Sequence, residues 1–157
     1  MTAASTEFNR TLFITLPVGD VARSAQFYAA LGFSSDPNFG DGEGVAAMVI
    51  SDQARIMLGT HEKWAEFSKL PAANPRTHAI GLYSFAVASR DEVDTVADAA
   101  TAAGGEDHDD AQDYGFMYSR SFYDLDGHGW QVMWMDPLAA ELGPEEYMSR
   151  QQSGAAS

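Results

Sequence analysis

One order of elements occurs twice along this chain. The strand-like run "TLFITLPV" leads into "VGDVARSAQFYAALGF", and "GLYSFAVA" leads into "VASRDEVDTVADAATAAGG". Val87, near the end of the second run, stands 69 positions after Val18, and Gly104, which closes the second helix pattern, stands 72 after Gly32. Three further strand candidates follow each helix pattern: "FSSDPNF", "GVAAMVIS" and "ARIMLGT" in the first half, "GEDHDDA", "GFMYSRSFYD" and "GWQVMWM" in the second. A repeat at this period predicts one supersecondary unit used twice, here βαβββ. Such a unit lays its helix on one face of a sheet and leaves the other face free to curve around something, which makes the chain α+β.

The helix boundaries carry their own signals. Asp20 is placed to cap the first helix, with Val21, Ala25, Tyr28 and Leu31 on one face and Gly32 at the end. Ser89 and Glu92 form a capping box, with Val93, Val96, Ala97 and Ala100 on one face and Gly104 at the end. Residues 1–10 are expected to be a loose arm. The first module spans about 11–60, the connector 61–78 and the second module 79–137. A tail, 138–157, is expected to be partly helical and then disordered, with "RQQSGAAS" loose. Trp64, Phe67 and Leu70 predict a short helix inside the connector, ahead of a loop marked by Pro71 and Pro75.

Side chains alternate across a strand, so each strand sorts into a helix side and a free side. Leu12, Ile14, Leu16 and Val18 face the helix, and Phe13, Thr15 and Pro17 face away. Ile56 and Leu58 face the helix, and Arg55, Met57 and Gly59 face away. Tyr83, Phe85 and Val87 face the helix, and Leu82, Ser84 and Ala86 face away. Trp130, Val132 and Trp134 face the helix, and Gln131 and Met133 face away. Hairpin loops with an even number of residues then place Phe116, Tyr118, Arg120 and Phe122 on the free face with Gln131, and Met48 and Ala46 on it with Met57. An odd loop or a bulge would reverse these assignments.

Composition excludes several classes. The chain has 157 residues, 45% of them apolar, which suits one globular domain. It has no cysteine, so disulfides, thiolate nucleophiles, thiolate zinc sites and iron–sulfur clusters are ruled out. A net charge of −14 opposes nucleic acid and anionic membranes as partners. No apolar run is long enough to span a membrane, and "MTAASTEFNR" lacks the basic start and apolar centre of a signal peptide; a cytoplasmic location is expected.

Taken together, "LPVGDVARSAQFYAALGF", "AAGG" and "GFMYSRSFYDLDGHGWQVMWMD" resemble the vicinal oxygen chelate superfamily, which includes glyoxalase I, extradiol dioxygenases and the bleomycin- and fosfomycin-resistance proteins. The resemblance covers about residues 11–137. It implies two βαβββ modules forming one cupped mixed sheet with the helices on its outer face, often in a homodimer. Family enzymes hold a divalent metal through side chains on the first, fourth, fifth and eighth strands. The resemblance puts those positions at Phe13, Met57, Leu82 and Gln131, of which three cannot ligate a hard ion and the fourth is a neutral amide.

The residues therefore predict an apolar cup with no metal and no other cofactor, holding a small, anionic or aromatic molecule. Its walls would be Phe13, Thr15, Met48, Met57, Leu82, Ser84, Phe116, Tyr118, Arg120, Phe122, Gln131 and Met133. Arg120 needs an anionic partner when buried: a ligand, or an acidic neighbour such as Asp124 or Asp113. The alternative is a glyoxalase I-like or extradiol dioxygenase-like metalloenzyme with a divalent ion. His128 is expected to be a turn residue pointing away from the cup, and His108 in "EDHDDAQD" part of a solvated acidic segment. His61 and His78 are general-base candidates without an evident partner.

Overall fold

A computed structural model describes residues 10–155. They form two compact units, one ending at Asn74 and the other beginning at Pro75. The expected residues 1–10 arm lies, apart from Arg10, outside the described residues, as do the last two residues of the tail.

The first unit contains β1 (Leu12–Val18), α1 (Val21–Ala30), β2 (Ser34–Gly40), β3 (Val45–Ser51), β4 (Ala54–Thr60) and α2 (His61–Phe67). Its sheet has the order β1-β4-β3-β2, with β1 parallel to β4 and the other pairs antiparallel. The Asp20 carboxylate accepts from the Arg23 amide at 3.0 Å and fixes the start of α1. The buried stripe of α1 is Val21, Ser24, Phe27 and Tyr28, continued by Leu31; Ala25 is only half-buried. This stripe packs against β3 and β4, where Met48, Ile56 and Leu58 are buried. Each such side chain removed from water contributes about 1.5–3 kcal/mol.

The second unit contains β5 (Leu82–Ala86), α3 (Arg90–Ala102), β6 (Glu106–Asp107), β7 (Gln112–Asp113), β8 (Met117–Tyr123), β9 (Gly129–Met135), α4 (Pro137–Leu142) and α5 (Pro144–Ala155). The order is β5-β9-β8-β6, with β7 also on β8; "GEDHDDA" thus supplies a short strand and a loop in place of one full strand. Ser89 caps α3 as expected, its Oγ accepting from the Glu92 amide at 3.1 Å, while the Glu92 side chain reaches back one residue beyond the cap, Oε2 accepting from the Ala88 amide at 3.0 Å. Val93, Val96, Ala97 and Ala100 are the buried face of α3, as their spacing predicts. They pack against β8 and β9, where Phe122, Trp130 and Val132 are buried.

The fold is α+β with two βαβββ-like modules and mixed sheets. Hydrogen bonding makes two sheets, one in each unit, in place of one continuous sheet. The tail differs from expectation as well: α5 carries the chain as helix through Ala155, so most of "RQQSGAAS" is helical. Among the described residues no helix is long and apolar enough to cross a membrane.

Two strands present the face opposite to the one predicted. Met48 pairs with Ile56, and Ala47 with Met57, so Met48 is buried on the helix side. The turn at Asp52-Gln53 has two residues as expected, but Ile50 is an extra residue between the Val49–Arg55 and Ser51–Ala54 pairs, and this bulge shifts the parity. In the second unit the loop from Asp124 to His128 has five residues, since Tyr123 pairs with Gly129. That odd number places Gln131 opposite Ser121, and Tyr118, Arg120 and Phe122 beside Trp134, Val132 and Trp130 on the helix side.

Candidate ligand-binding face and cavity

The helix-side residues of β8 serve structure. Arg120 Nη1 donates to Asp98 at 2.8 Å and to Asp94 at 3.3 Å, and Nη2 lies 3.7 Å from Asp107. Its partners are thus carboxylates of α3 and β6, and neither a ligand nor the expected Asp124 or Asp113. Tyr118 Oη donates to Asp94 at 2.8 Å, which raises the phenol pKa by stabilising the protonated form. Asp113 is gripped instead by Arg90 at 2.7 and 2.8 Å, which holds its carboxyl at about 2. Phe122 is fully buried. Phe116 precedes β8 and lies near the rings of Tyr114 and Tyr147, at centroid distances of 6.2 and 6.3 Å. Met48, Phe116, Tyr118, Arg120 and Phe122 are therefore removed from the predicted wall.

The other predicted residues keep their face. In the first unit Phe13 and Thr15 lie beside Arg55 and Met57 on the side away from α1. Arg55 Nε donates to Asp36 at 2.9 Å, and its guanidinium lies 5.9 Å from the Phe13 ring centre. This pair lowers the Asp36 pKa, mainly through the hydrogen bond from Arg55. In the second unit Leu82, Ser84 and Ala86 pair with Gly129, Gln131 and Met133. Ser119 and Ser121 complete that face by pairing with Met133 and Gln131. Gln131 sits between two hydroxyls: Ser84 Oγ donates to Oε1 at 3.4 Å, and Nε2 donates to Ser119 Oγ at 3.4 Å. Both bonds are long, so the amide is oriented yet able to exchange a partner for a ligand.

The four family metal positions can be tested on their donors. Phe13, Met57 and Leu82 offer no oxygen or nitrogen, and Gln131 offers one amide already hydrogen-bonded. These residues do not fit a hard divalent ion, which takes carboxylate or imidazole ligands. Among the described residues no group of three or more His, Asp or Glu side chains is arranged to hold a metal.

Sequence reasoning missed a cavity of about 500 Å³ in the second unit. Residues 75–81 lie over the turn between β8 and β9, and the hollow reaches Leu82, His108, Tyr123 and His128. Arg76 Nη2 donates to the Leu125 carbonyl at 2.6 Å and ties the two segments together. Asp124 builds the turn, its Oδ1 accepting from the amides of Asp126 and His128, both at 2.9 Å. His128 is buried, as a turn residue organised by Asp124, and it lines this cavity. His61 is the first residue of α2, in the first unit. The readable signal was "DLDGHG", whose first aspartate caps its own turn; nothing in it pointed to the connector that covers it.

A family model described as Glyoxalase/Bleomycin resistance protein/Dioxygenase superfamily matches residues 10–132. No curated protein sequence matches the chain. Solved structures do. A hypothetical protein from S. aureus is 26% identical with a TM-score of 0.67, over 80% of this chain and 94% of that one. A glyoxalase-related enzyme from Fulvimarina pelagi is 21% identical with a TM-score of 0.66, over 81% and 88%. A family enzyme from Burkholderia phytofirmans PsJN is 17% identical with a TM-score of 0.64, over 78% and 96%. The match of the family model across most of the chain, joined to two βαβββ-like modules with mixed sheets, places this protein in the glyoxalase/bleomycin resistance protein/dioxygenase superfamily.

Proposed function

We propose that this protein binds a small, largely apolar molecule without a metal ion, on the sheet face opposite α3. The observation that carries this reading is Gln131, at a metal-ligand position of the family, engaged by Ser84 and Ser119 as a neutral hydrogen-bonding group. Leu82 and Met133 supply apolar surface beside it, and Leu82 is 58% exposed. A flat ligand bearing an amide, a ring nitrogen or a hydroxyl suits this surface, because the Gln131 amide both donates and accepts. With Arg120 occupied by α3, this face owes nothing to a fixed cation. Against the metal-dependent alternative, a glyoxalase I-like lyase or an extradiol dioxygenase, we set the side chains at Phe13, Met57 and Leu82, which offer no oxygen or nitrogen donor.

The test is a fragment screen of the apo protein by two-dimensional amide NMR, with melting curves taken in EDTA and in added Zn²⁺, Ni²⁺, Mn²⁺ or Fe²⁺. Heteroaromatic amides are expected to shift Ser84, Ser119 and Gln131 saturably, and Gln131→Leu to weaken them about tenfold. The melting temperature should stay within about 1 °C with chelator or metal. A stoichiometric metal that raises it by several degrees, or fragments that ignore Gln131→Leu, would overturn the proposal.

A further inference from the structure

The cavity under the connector has a lining that the rest of the chain makes improbable. The chain carries 23 aspartates and glutamates against 9 lysines and arginines and 4 histidines. Yet the lining residues include no carboxylate, while they include Arg76 and three histidines, His78, His108 and His128. His78 engages Nδ1 with the Thr77 hydroxyl at 2.9 Å, which leaves Nε2 out of that contact. His108 lies with its ring 4.5 Å from that of Tyr123, and no hydrogen bond to a described residue engages its ring nitrogens. Carboxylates do adjoin the lining along the chain, Asp107 and Asp109 on either side of His108 and Asp126 before Gly127, yet none of them lines the cavity. Asp124 is buried inside its turn, accepting two backbone amides, and Glu106 lines a separate adjoining hollow of about 150 Å³.

The geometry points to a second ligand site here, one that takes a small aromatic molecule bearing a carboxylate or a phosphate. A volume of about 500 Å³ lies within the range of small-molecule sites. With Nδ1 accepting from the Thr77 hydroxyl, His78 carries its proton on Nε2, so Nε2 of His78 and the N–H of His108 are the donors this site offers an anion. The Tyr123 ring and the exposed Ile80 side chain offer a wall for the flat body of the ligand. Exposed charges beyond about 8 Å are screened at physiological salt, so the chain's distant carboxylates act weakly here; Asp107, Asp109 and Asp126 are nearer, and the ligand's anion must be met by the Arg76 and histidine side of the lining. The site is independent of the Gln131 face, and so is its test.

Benzoate, phenyl phosphate and the neutral isostere benzamide are titrated into the intact chain, followed by amide NMR. At least one anion should shift Gly81, Gly127 and Gly129 saturably, and the tighter one identifies the preferred group. Benzamide should bind at least tenfold more weakly, because it forfeits charge-assisted bonds. The double variant His78→Gln, His108→Gln alters two exposed side chains, so it should melt like the parent while binding the anion at least tenfold more weakly. Benzoate and phenyl phosphate should leave the Gln131 side-chain amide unmoved, whereas benzamide, which the sheet face can take, is scored at Gly81, Gly127 and Gly129 alone. Equal binding of benzamide, no saturation by either anion below about 10 mM, or an unaffected double variant would each overturn the proposal.

Discussion

Gly127 concentrates two constraints in one residue. Its φ is +97°, and a Cβ there would stand 2.9 Å from Arg76 Cγ and 3.3 Å from the Arg76 backbone nitrogen. Gly32 has the same φ of +97° with nothing within 4 Å. Alanine at either position suffers the left-handed backbone penalty of about 1–2 kcal/mol. Only Gly127→Ala also pushes the connector off its turn. Urea unfolding should show Gly127→Ala as the more destabilising by about 1 kcal/mol; equal losses would mean that the connector does not press on this turn. Arg120 teaches a related lesson at the same scale. Its charge was rightly read as needing an anion, but the residue type does not say which. Asp94 and Asp98, one helical turn apart on α3, settle that.

At the scale of elements, helices were more legible than hairpins. The stripe of α3 and both helix caps follow from local spacing, because a helix closes its hydrogen bonds within a few residues. A hairpin's parity depends on one residue more or fewer, and that is set across strands. Ile50 is the case in the first unit. It is unpaired, and the residues on either side keep their partners, so deleting it should leave Met48 opposite Ile56. Deleting Ala47, by contrast, moves the preceding residues of β3 to the wrong face. Loss of Ile50 is expected to cost about 1–2 kcal/mol and loss of Ala47 more than about 4 kcal/mol. Equal midpoints in urea for the two deletions would show that β3 tolerates either face.

For the whole molecule, the sheets end on edge strands: β1 and β2 in one, β5 and β6 in the other. Edges that stay open invite pairing with other chains, and two-fold association is a common way to cover them. Exposed apolar side chains such as Phe13, Phe39 and Leu82 point the same way. The chain is expected to be a homodimer, with light scattering at tens of micromolar giving twice the 16.9 kDa chain mass; a chain mass of one protomer would refute it.

The sequence by itself determined the repeated βαβββ order, the caps of α1 and α3, and the free-face placement of Phe13, Thr15, Met57, Leu82, Ser84, Gln131 and Met133. These depend on periodicity within one strand or helix, which neighbouring residues carry in full. Only the tertiary structure decided the faces of β3 and β8, since a bulge at Ile50 and a turn organised by the Asp124 carboxylate each change parity by one residue. It also decided the cavity. Arg76 meets the Leu125 carbonyl across 49 positions of chain, and His78 comes to share a hollow with His108 and His128. Contacts between segments so distant leave no local pattern, because the hydrogen bonds and packing that bring them together form only when the chain closes on itself.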